Sequence, residues 1–212
     1  MKRAVIVCGA KISDYEWVSS HFREGDFFIY CDSGLIHEDR FLSIVDSSAK
    51  LIIGDFDSHE KPDTDVEIIV LPHEKDDTDS VYAVKEAIKR GFKDILMIGA
   101  IGNRLDHSLV NLYVLKYMLE NGVSGTIVDD YSEMYLISDN MNTEIEDYFE
   151  YFSLVAISGK ATGVTIKDAK YEVENVDILP SYQYATSNEP IKGKTAKISV
   201  KSGDLCVIKN RF

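Results

Sequence analysis

The chain has 212 residues, of which 45% are hydrophobic and 28% are charged, and its formal net charge is −13. This composition supports a hydrophobic core in one large domain or two small ones and excludes wholesale disorder. The acidic balance argues against a nucleic-acid partner or an anionic membrane, because both would repel the chain. An anionic substrate therefore requires a bound cation or a few local basic residues.

The amino-terminal apolar run and the cysteines bear on location. Residues 4–8 are apolar, but the run ends at Gly9 and is too short for a signal peptide or a membrane span. The three cysteines, Cys8, Cys31 and Cys206, have no CxxC spacing, which favours reduced thiols over a disulfide framework. We therefore expect a cytoplasmic protein.

Up to about Asp130, short apolar runs alternate with amphipathic stretches. Compact β-branched runs are typical of parallel strands that are buried on both faces. The predicted strands are 4–8, 27–31, 51–53, 66–71, 95–98 and 126–128, and the predicted helices are 13–22, 35–44, 78–90 and 105–120. Strands that alternate with helices predict right-handed crossovers and a doubly wound, mostly parallel α/β sheet.

After Asp130 the helical pattern ends. Short strand-like runs follow at 134–137, 152–157, 163–166, 171–173, 195–200 and 205–208, separated by turns rich in Gly, Asp, Asn or Lys. This pattern predicts a second, all-β domain that is a small sandwich or barrel. We place the boundary in the polar stretch 138–147, which gives an α/β domain over 1–138 and a β-sandwich domain over 139–212.

Acidic residues follow several predicted strands. Asp32, Asp55 and Asp57 come directly after strands, and ligands of open α/β sheets bind beyond the carboxyl ends of the strands. We therefore expect these side chains at one rim of the sheet. In an extended segment Asp55 and Asp57 point to the same side and could hold one Mg²⁺, which prefers oxygen ligands. A turn capped by its own carboxylates is the alternative for this pair.

A second acidic cluster, residues 75–79 with the sequence Lys-Asp-Asp-Thr-Asp, precedes a predicted helix. Asp and Thr ordinarily cap helices at such positions, and capping is the simpler interpretation for at least one of them. The carboxylates repel one another, however, and Lys75 together with a cation would relieve that repulsion. A helix start can also present N–H groups to a phosphate.

The loop over 99–107 adds two glycines and a basic side chain. Gly99 and Gly102 permit a close approach of the backbone to a ligand, and Arg104 offers a planar fork suited to phosphate. His107 is a candidate for the same ligand, or a histidine that only satisfies the helix start. The other histidines have no ligand spacing and are expected on the surface or in loops; they are His21, His37, His59 and His73.

Five motifs in chain order resemble the thiamine pyrophosphokinase family. They are Asp32-Ser33-Gly34, Gly54-Asp55-Phe56-Asp57-Ser58, Lys75-Asp76-Asp77-Thr78-Asp79, the loop 102–107 and Ser187-Asn188-Glu189. The resemblance spans nearly the whole chain. It implies an amino-terminal α/β domain followed by a carboxy-terminal β-sandwich, which is the architecture that the periodicity predicts.

The resemblance implies transfer of the pyrophosphoryl group of ATP to the thiamine hydroxyl, which gives thiamine diphosphate and AMP, with Mg²⁺ as the cofactor. It implies Asp55, Asp57 and Asp79 as metal ligands, and the same three with Asp76 as the catalytic set. The residues implied for the nucleotide are Asp32, Lys75, Thr78, Arg104, Asp106 and His107.

The thiamine site of the family lies between the subunits of a homodimer and is built partly from the carboxy-terminal domain. By this resemblance Ser187 and Asn188 would bind the pyrimidine of thiamine. Tyr171 occupies the place of a tryptophan in animal relatives, and its aromatic face would suit the cationic thiazolium. An ordinary sandwich residue is the alternative for Tyr171.

Two other functions fit parts of the pattern. A phosphatase of the haloacid dehalogenase type also has Asp-x-Asp after an apolar strand. That family continues with Gly-Thr near the first strand, whereas Asp57 is followed by Ser58-His59 after the third. A nucleotide-binding sensor without catalysis would have less need of so many carboxylates that repel one another.

Overall fold

The computed structural model describes residues 2–57, 61–74 and 76–211. The chain divides into two compact units, Met1–Asp130 and Tyr131–Phe212. Over the described residues, no helix has both the length and the apolar character needed to cross a membrane.

The first unit contains a six-stranded parallel sheet. Its strands are β1 (Ala4–Val7), β2 (Phe27–Cys31), β3 (Leu51–Gly54), β4 (Glu67–Val70), β5 (Asp94–Ile98) and β6 (Ser124–Val128), in the order β4-β3-β2-β1-β5-β6. Each neighbouring pair is parallel. The prediction of a doubly wound sheet is confirmed. The direction of strand addition reverses between β1 and β5.

Helices connect these strands. They are α1 (Tyr15–Ser19), a 3-10 helix (Asp32–His37), α2 (Glu38–Leu42), α3 (Asp79–Lys89) and α4 (Leu105–Glu120). Thr78 caps α3 by accepting a hydrogen bond from the N–H of Val81 at 3.5 Å, and Gly91, with φ 88°, follows its end. Val18 of α1 and Phe41 of α2 belong to one buried cluster on the sheet.

The first two helices are shorter than predicted. The expected helix 13–22 is reduced to α1, which Asp14 caps by accepting from the N–H of Trp17 at 3.0 Å. The expected helix 35–44 is divided into the 3-10 helix and α2. Gly34 explains the tighter start, because a Cβ at this residue would lie 2.1 Å from the carbonyl oxygen of Val7.

The second unit contains two antiparallel sheets. Its strands are β7 (Ser132–Ile137), β8 (Asn142–Ile145), β9 (Tyr151–Ala156), β10 (Ala161–Lys167), β11 (Val173–Ile178), β12 (Ala196–Ser199) and β13 (Leu205–Asn210). One sheet has the order β7-β13-β9 and the other β11-β10-β12-β8. Phe152, Leu154 and Ile166 are buried in this unit. The expected all-β architecture is confirmed.

The boundary between the units differs from the predicted one after Ser138. Strand β7 pairs with β13 from Ser132 opposite Asn210 to Ile137 opposite Leu205, so it belongs to the second unit. Strand β8 lies in the stretch 138–147, which the sequence suggested as a polar connection. Its residues alternate toward solvent, and Ile145 is the one that is fully buried. A strand with so few apolar residues gives a weak sequence signal.

Candidate functional site

A cavity of about 500 Å³ lies where the strand order reverses between β1 and β5, and we call it the switch-point cavity. Its walls are residues 8–11 after β1, Cys31 and Ser33 around the end of β2, residues 78–80 at the start of α3, and parts of 99–111 around the start of α4. Open α/β sheets bind ligands at this position, outside the carboxyl ends of the strands.

Three carboxylates converge beside this cavity, and we call them the Asp32 trio: Asp32 after β2, Asp55 after β3, and Asp79 at the start of α3. One oxygen of each lies within 4.8 Å of the others. Asp32 is 4% exposed, the other two are half-buried, and Asp79 also lines the cavity. Oxygen ligands at this spacing fit a hard divalent cation such as Mg²⁺, which also relieves the repulsion between the carboxylates.

Gly54 makes room for this arrangement. A Cβ at Gly54 would lie 2.2 Å from the Cβ of Asp32, so any larger residue would displace the most deeply buried carboxylate of the trio. The position before Asp55 in the acidic motif therefore requires glycine for steric reasons. It lets β3 end directly beside the side chain that follows β2.

Asp57 belongs to a second group, in which its ligand atom lies within 4.8 Å of those of Asp55 and His73. The sequence suggested an extended segment at this point, but the segment forms a turn. Phe56 has φ 54°, and the N–H of Asp57 donates to Oδ1 of Asp55 at 3.3 Å. This turn places Asp57 beside Asp55 and His73, and among the described residues the group formed by Asp32, Asp55 and Asp79 does not include it. No fixed spacing links a loop histidine to distant carboxylates, so His73 could not be recognised from the sequence.

The residues before α3 separate into different environments. Asp76 is exposed, and Asp77 forms an ion pair with Lys85 of α3. Thr78 serves as the helix cap and also lines the switch-point cavity. The predicted nucleotide residue Lys75 lies outside the described residues.

A buried hydrogen-bond chain fixes the wall of the cavity between α3 and α4. Oγ of Ser80 donates to Oδ1 of Asn111 at 2.8 Å, and Nδ2 of Asn111 donates to the carbonyl of Ala100 at 2.7 Å. The hydroxyls of Thr78 and Ser80 are 3.0 Å apart. Ser80 and Asn111 are both buried. Because these partners come from three segments, the chain holds the start of α3 against the loop after β5.

The loop before α4 brings basic groups to the cavity. Arg104 and His107 line it, whereas Asp106 lies outside its lining. Nε and one terminal nitrogen of Arg104 donate to the two carboxylate oxygens of Asp106 at 3.0 and 2.6 Å. These hydrogen bonds hold the pKa of Asp106 well below its ordinary value. Asp106 therefore stays ionised and orients the guanidinium.

His37 supports the loop after β1, although the sequence analysis placed it on the surface or in a loop. It is 3% exposed, and burial lowers its pKa. Its Nε2 lies 2.9 Å from the carbonyl of Ala10, and its Nδ1 lies 2.7 Å from the hydroxyl of Tyr15. A neutral ring that donates from Nε2 and accepts at Nδ1 satisfies both partners. Ala10 lines the cavity, so His37 fixes one of its walls.

Several lining residues lacked a motif in the sequence analysis. They are Cys8, Gly9, Ala10, Lys11, Ser80, Ser108 and Asn111. The usable signal was Gly9 directly after the first predicted strand, because a tight turn there is typical of phosphate-binding loops in open α/β sheets. Lys11 then becomes a second basic group beside Arg104.

The residues expected to bind thiamine lie in the second unit and differ in exposure. Tyr171 is 59% exposed, and Ser187, with φ 54°, is also exposed. Asn188 is 3% exposed, and its side-chain amide accepts from the N–H of Tyr171 at 3.0 Å and donates to the carbonyl of Tyr171 at 2.8 Å. Its amide is thus engaged with the main chain that carries Tyr171.

Two family models match the chain. The model described as the thiamin pyrophosphokinase catalytic domain matches residues 19–127. The model described as the thiamin pyrophosphokinase vitamin B1 binding domain matches residues 140–205. The first match lies within the first compact unit and the second match within the second unit.

Known proteins of both animals and bacteria are similar to the chain. Thiamin pyrophosphokinase 1 of Caenorhabditis elegans is 26% identical over 163 residues, which cover 72% of this chain and 65% of the worm protein. The crystal structure of thiamine pyrophosphokinase from Bacillus subtilis is 21% identical in sequence, with a TM-score of 0.83. The match covers 100% of this chain and 99% of the Bacillus chain. The crystal structure of thiamin pyrophosphokinase from Geobacillus thermodenitrificans is 22% identical, with a TM-score of 0.82. The match covers 100% of this chain and 98% of the Geobacillus chain. These structures share the fold of the chain.

Proposed function

The chain belongs to the thiamin pyrophosphokinase family, and on this premise we propose that it transfers the pyrophosphoryl group of ATP to the hydroxyl oxygen of thiamine. The products are thiamine diphosphate and AMP. The observation that carries the proposal is the Asp32 trio at the edge of the switch-point cavity, where Asp79 belongs to both. A cation site beside a nucleotide-sized cavity is what phosphoryl chemistry requires.

We propose that ATP binds in the switch-point cavity. The start of α3 at Thr78 and the start of α4 after Arg104 direct main-chain N–H groups toward phosphate oxygens. Lys11, Arg104 and His107 supply the local basic groups that a chain with a net charge of −13 requires for an anionic substrate. Lys75 is proposed as a further phosphate contact.

The Asp32 trio would hold Mg²⁺. The donor set fits this cation, because all three residues offer carboxylate oxygens and one of them is buried. When bound, Mg²⁺ supplies charge neutralisation to the polyphosphate as the bond to AMP breaks. Asp57 and Asp76 are proposed to support this centre from the more exposed side of the rim.

The transfer is a displacement at the β-phosphorus. The thiamine hydroxyl oxygen forms the new bond, the bond between the β-phosphorus and the bridging oxygen of AMP breaks, and a carboxylate of the rim accepts the hydroxyl proton. A loose transition state depends more on positioning than on a strong base. The hydrogen bonds of Asn111 and His37 hold the cavity walls for that purpose.

Thiamine is proposed to contact the second unit. The exposed ring of Tyr171 suits a cationic thiazolium, and Ser187 offers a hydroxyl. Asn188 positions Tyr171, because its side-chain amide is hydrogen-bonded to the main chain of that residue. We further propose a homodimer that shares the site and a cytoplasmic location, which suits the free thiols.

Incubation with ATP, Mg²⁺ and thiamine tests the proposal. We expect AMP and thiamine diphosphate in equal amounts, separated and quantified by chromatography, and no product when thiamine is omitted. Release of orthophosphate would favour a phosphatase. Release of ADP would indicate transfer of a single phosphoryl group, and ATP binding without turnover would indicate a sensor.

A further inference from the structure

Cys8 and Cys31 face each other in the wall of the switch-point cavity. Strands β1 and β2 are parallel with Val7 opposite Tyr30, so Cys8, which directly follows β1, lies beside Cys31, the last residue of β2. The neighbouring Cys8 side chain and burial both raise the pKa of the Cys31 thiol well above its ordinary value. Both residues line the cavity, and they are 7% and 2% exposed. The cavity is therefore lined by a pair of adjacent thiols.

We propose that Cys8 and Cys31 form a dithiol site that binds one trivalent arsenical through both sulfurs, and that this adduct blocks the switch-point cavity. An arsenoxide reacts with the two thiols to form two As–S bonds. The As=O bond and the two S–H bonds break, and one water molecule leaves. The arsenic remains trivalent, so the reaction needs neither an oxidant nor a reductant.

The arrangement favours a bridging atom over a direct disulfide. Both thiols are free, so their separation exceeds the sulfur–sulfur bond length of about 2.05 Å, and a disulfide would also require a restricted dihedral angle. One arsenic atom placed between the sulfurs spans that separation with little movement of the strands. Within the described residues, neither cysteine joins a group of three or more potential metal ligands, so a two-ligand binder fits better than a tetrahedral metal.

Occupation of the dithiol affects both the cavity and the acidic rim. The loop after β1 packs tightly on the segment after β2, because a Cβ at Gly9 would lie 2.2 Å from Oγ of Ser33. An arsenical with an organic substituent therefore has to extend into the cavity. Asp32 directly follows Cys31, so the adduct also strains the position of the most buried carboxylate of the Asp32 trio.

The third cysteine provides a matched control. Cys206 lies in β13 of the second unit and is fully buried, and this burial raises the pKa of its thiol to about 12. A single thiol cannot chelate arsenic. Cys206→Ser should therefore leave the uptake of arsenical unchanged, whereas Cys8→Ser and Cys31→Ser should each remove the bidentate site.

The probe is phenylarsine oxide added to the full chain, with the adduct counted by intact-mass spectrometry. We expect one adduct per chain that survives excess 2-mercaptoethanol and is removed by 2,3-dimercaptopropanol. Uptake should fall at least tenfold in Cys8→Ser and in Cys31→Ser but stay at one adduct in Cys206→Ser. A stable adduct in either of the first two variants would overturn the assignment, as would removal by the monothiol.

Two measurements on the wild-type chain keep the test independent of variants that fail to fold. Proteolysis without thiols should yield the peptides containing Cys8 and Cys31 joined by one arsenic atom, and an adduct on any other peptide would refute the site. Saturating ATP with Mg²⁺ should slow the labelling at least tenfold; this arm alone rests on the proposed function. If ATP binds but does not protect, the dithiol is not in the nucleotide cavity. If ATP does not bind, the proposed function fails, but the joined peptides still show whether Cys8 and Cys31 bind the arsenical together.

Discussion

The two units hold their candidate site residues in different ways. In the first unit, Asp32, Asp55 and Asp79 are buried or half-buried, and strand ends or a helix start fix each of them. In the second unit, Tyr171 and Ser187 are exposed on loops. The centre proposed for chemistry thus depends on the topology of the sheet, whereas the surface proposed for thiamine depends on individual loop side chains.

This difference predicts different kinetic effects. Substitutions in the acidic rim should lower kcat, because they change groups that act on the transferring phosphates. Substitutions in the walls of the switch-point cavity should raise KM for ATP, and substitutions at Tyr171 should raise KM for thiamine. A mixed pattern across the two units would contradict the division.

The largest effect is expected for Asp79→Asn. Loss of a carboxylate that holds the cation removes several kcal/mol of charge stabilisation, so kcat should fall by about 10³-fold or more. Asp57→Asn should cost less, about 10²-fold, because Asp57 is exposed and is grouped with Asp55 and His73 but not with Asp32 and Asp79. Steady-state AMP release measures both values.

Asp77→Asn is the matched control for this pair of variants. Asp77 lies in the same acidic segment, but it forms a surface ion pair with Lys85, and such pairs contribute about 0 to 1 kcal/mol. The kcat of the Asp77→Asn variant should stay within about threefold of the wild-type value. An equal loss in Asp77→Asn and Asp79→Asn would mean that the segment matters only through its net charge.

Gly54→Ala is expected to have the second largest effect. The new Cβ would lie 2.2 Å from the Cβ of Asp32, so the carboxylate must move even though no catalytic group is removed. We expect a fall in kcat of about 10²-fold and a loss of about 1 to 3 kcal/mol in the free energy of unfolding. Activity assays and urea denaturation measure the two effects.

Gly25→Ala separates these effects from general strain. Gly25 has φ 82°, and its Cβ would meet no atom within 4 Å, so the substitution strains only the backbone. It should lower stability by about 1 kcal/mol and leave kcat unchanged. Normal kcat in Gly54→Ala would show that Asp32 does not need its observed position.

A moderate effect on nucleotide affinity is expected for His37→Leu. The half-buried carbonyl of Ala10 loses its donor, and an acceptor left unsatisfied in this way costs up to about 1 to 3 kcal/mol. KM for ATP should rise about tenfold while kcat stays within about twofold. His37→Gln keeps an N–H donor and should recover most of the affinity.

His21→Leu is the matched histidine control, because His21 bonds within its own segment to the carbonyl of Trp17 and does not line the cavity. It should leave KM for ATP unchanged. If His37→Leu only lowers the melting temperature, with the wild-type KM in the folded fraction, the role of His37 is limited to stability.

The smallest effect is expected at the surface of the second unit. Tyr171→Ala should raise KM for thiamine about twofold to fivefold, which corresponds to an exposed cation–π contact of about 0.5 to 1 kcal/mol. Tyr182→Ala provides a control, because Tyr182 is also highly exposed. Equal KM values for thiamine in the two variants would remove Tyr171 from the thiamine site.

The sequence predicted the parts of the molecule that follow from burial and topology. Strands β1, β2, β3 and β5 appear as apolar runs in the sequence because both faces of the parallel sheet are covered there, and α4 has the predicted bounds. The convergence of Asp32 and Asp55 followed from the same topology, since parallel strands end at one edge.

The sequence did not predict features set by local backbone conformation and by contacts between distant segments. The turn at Phe56 groups Asp57 with Asp55 and His73 and not with Asp32 and Asp79, and nothing in the sequence indicates its positive φ. The bond from His37 to Ala10 joins two loops that only the folded sheet brings together. The engagement of Asn188 with Tyr171 likewise depends on the pairing of two loops.

Binding of Mn²⁺ in the presence of ATP tests the central claim most directly, because it reports the cation site without requiring turnover. Electron paramagnetic resonance would measure the Mn²⁺ bound by the wild type, Asp79→Asn and Asp77→Asn. We predict that Asp79→Asn weakens binding at least tenfold and that Asp77→Asn leaves it unchanged. Equal Mn²⁺ affinity in all three proteins would contradict the assignment of the Asp32 trio as the metal centre.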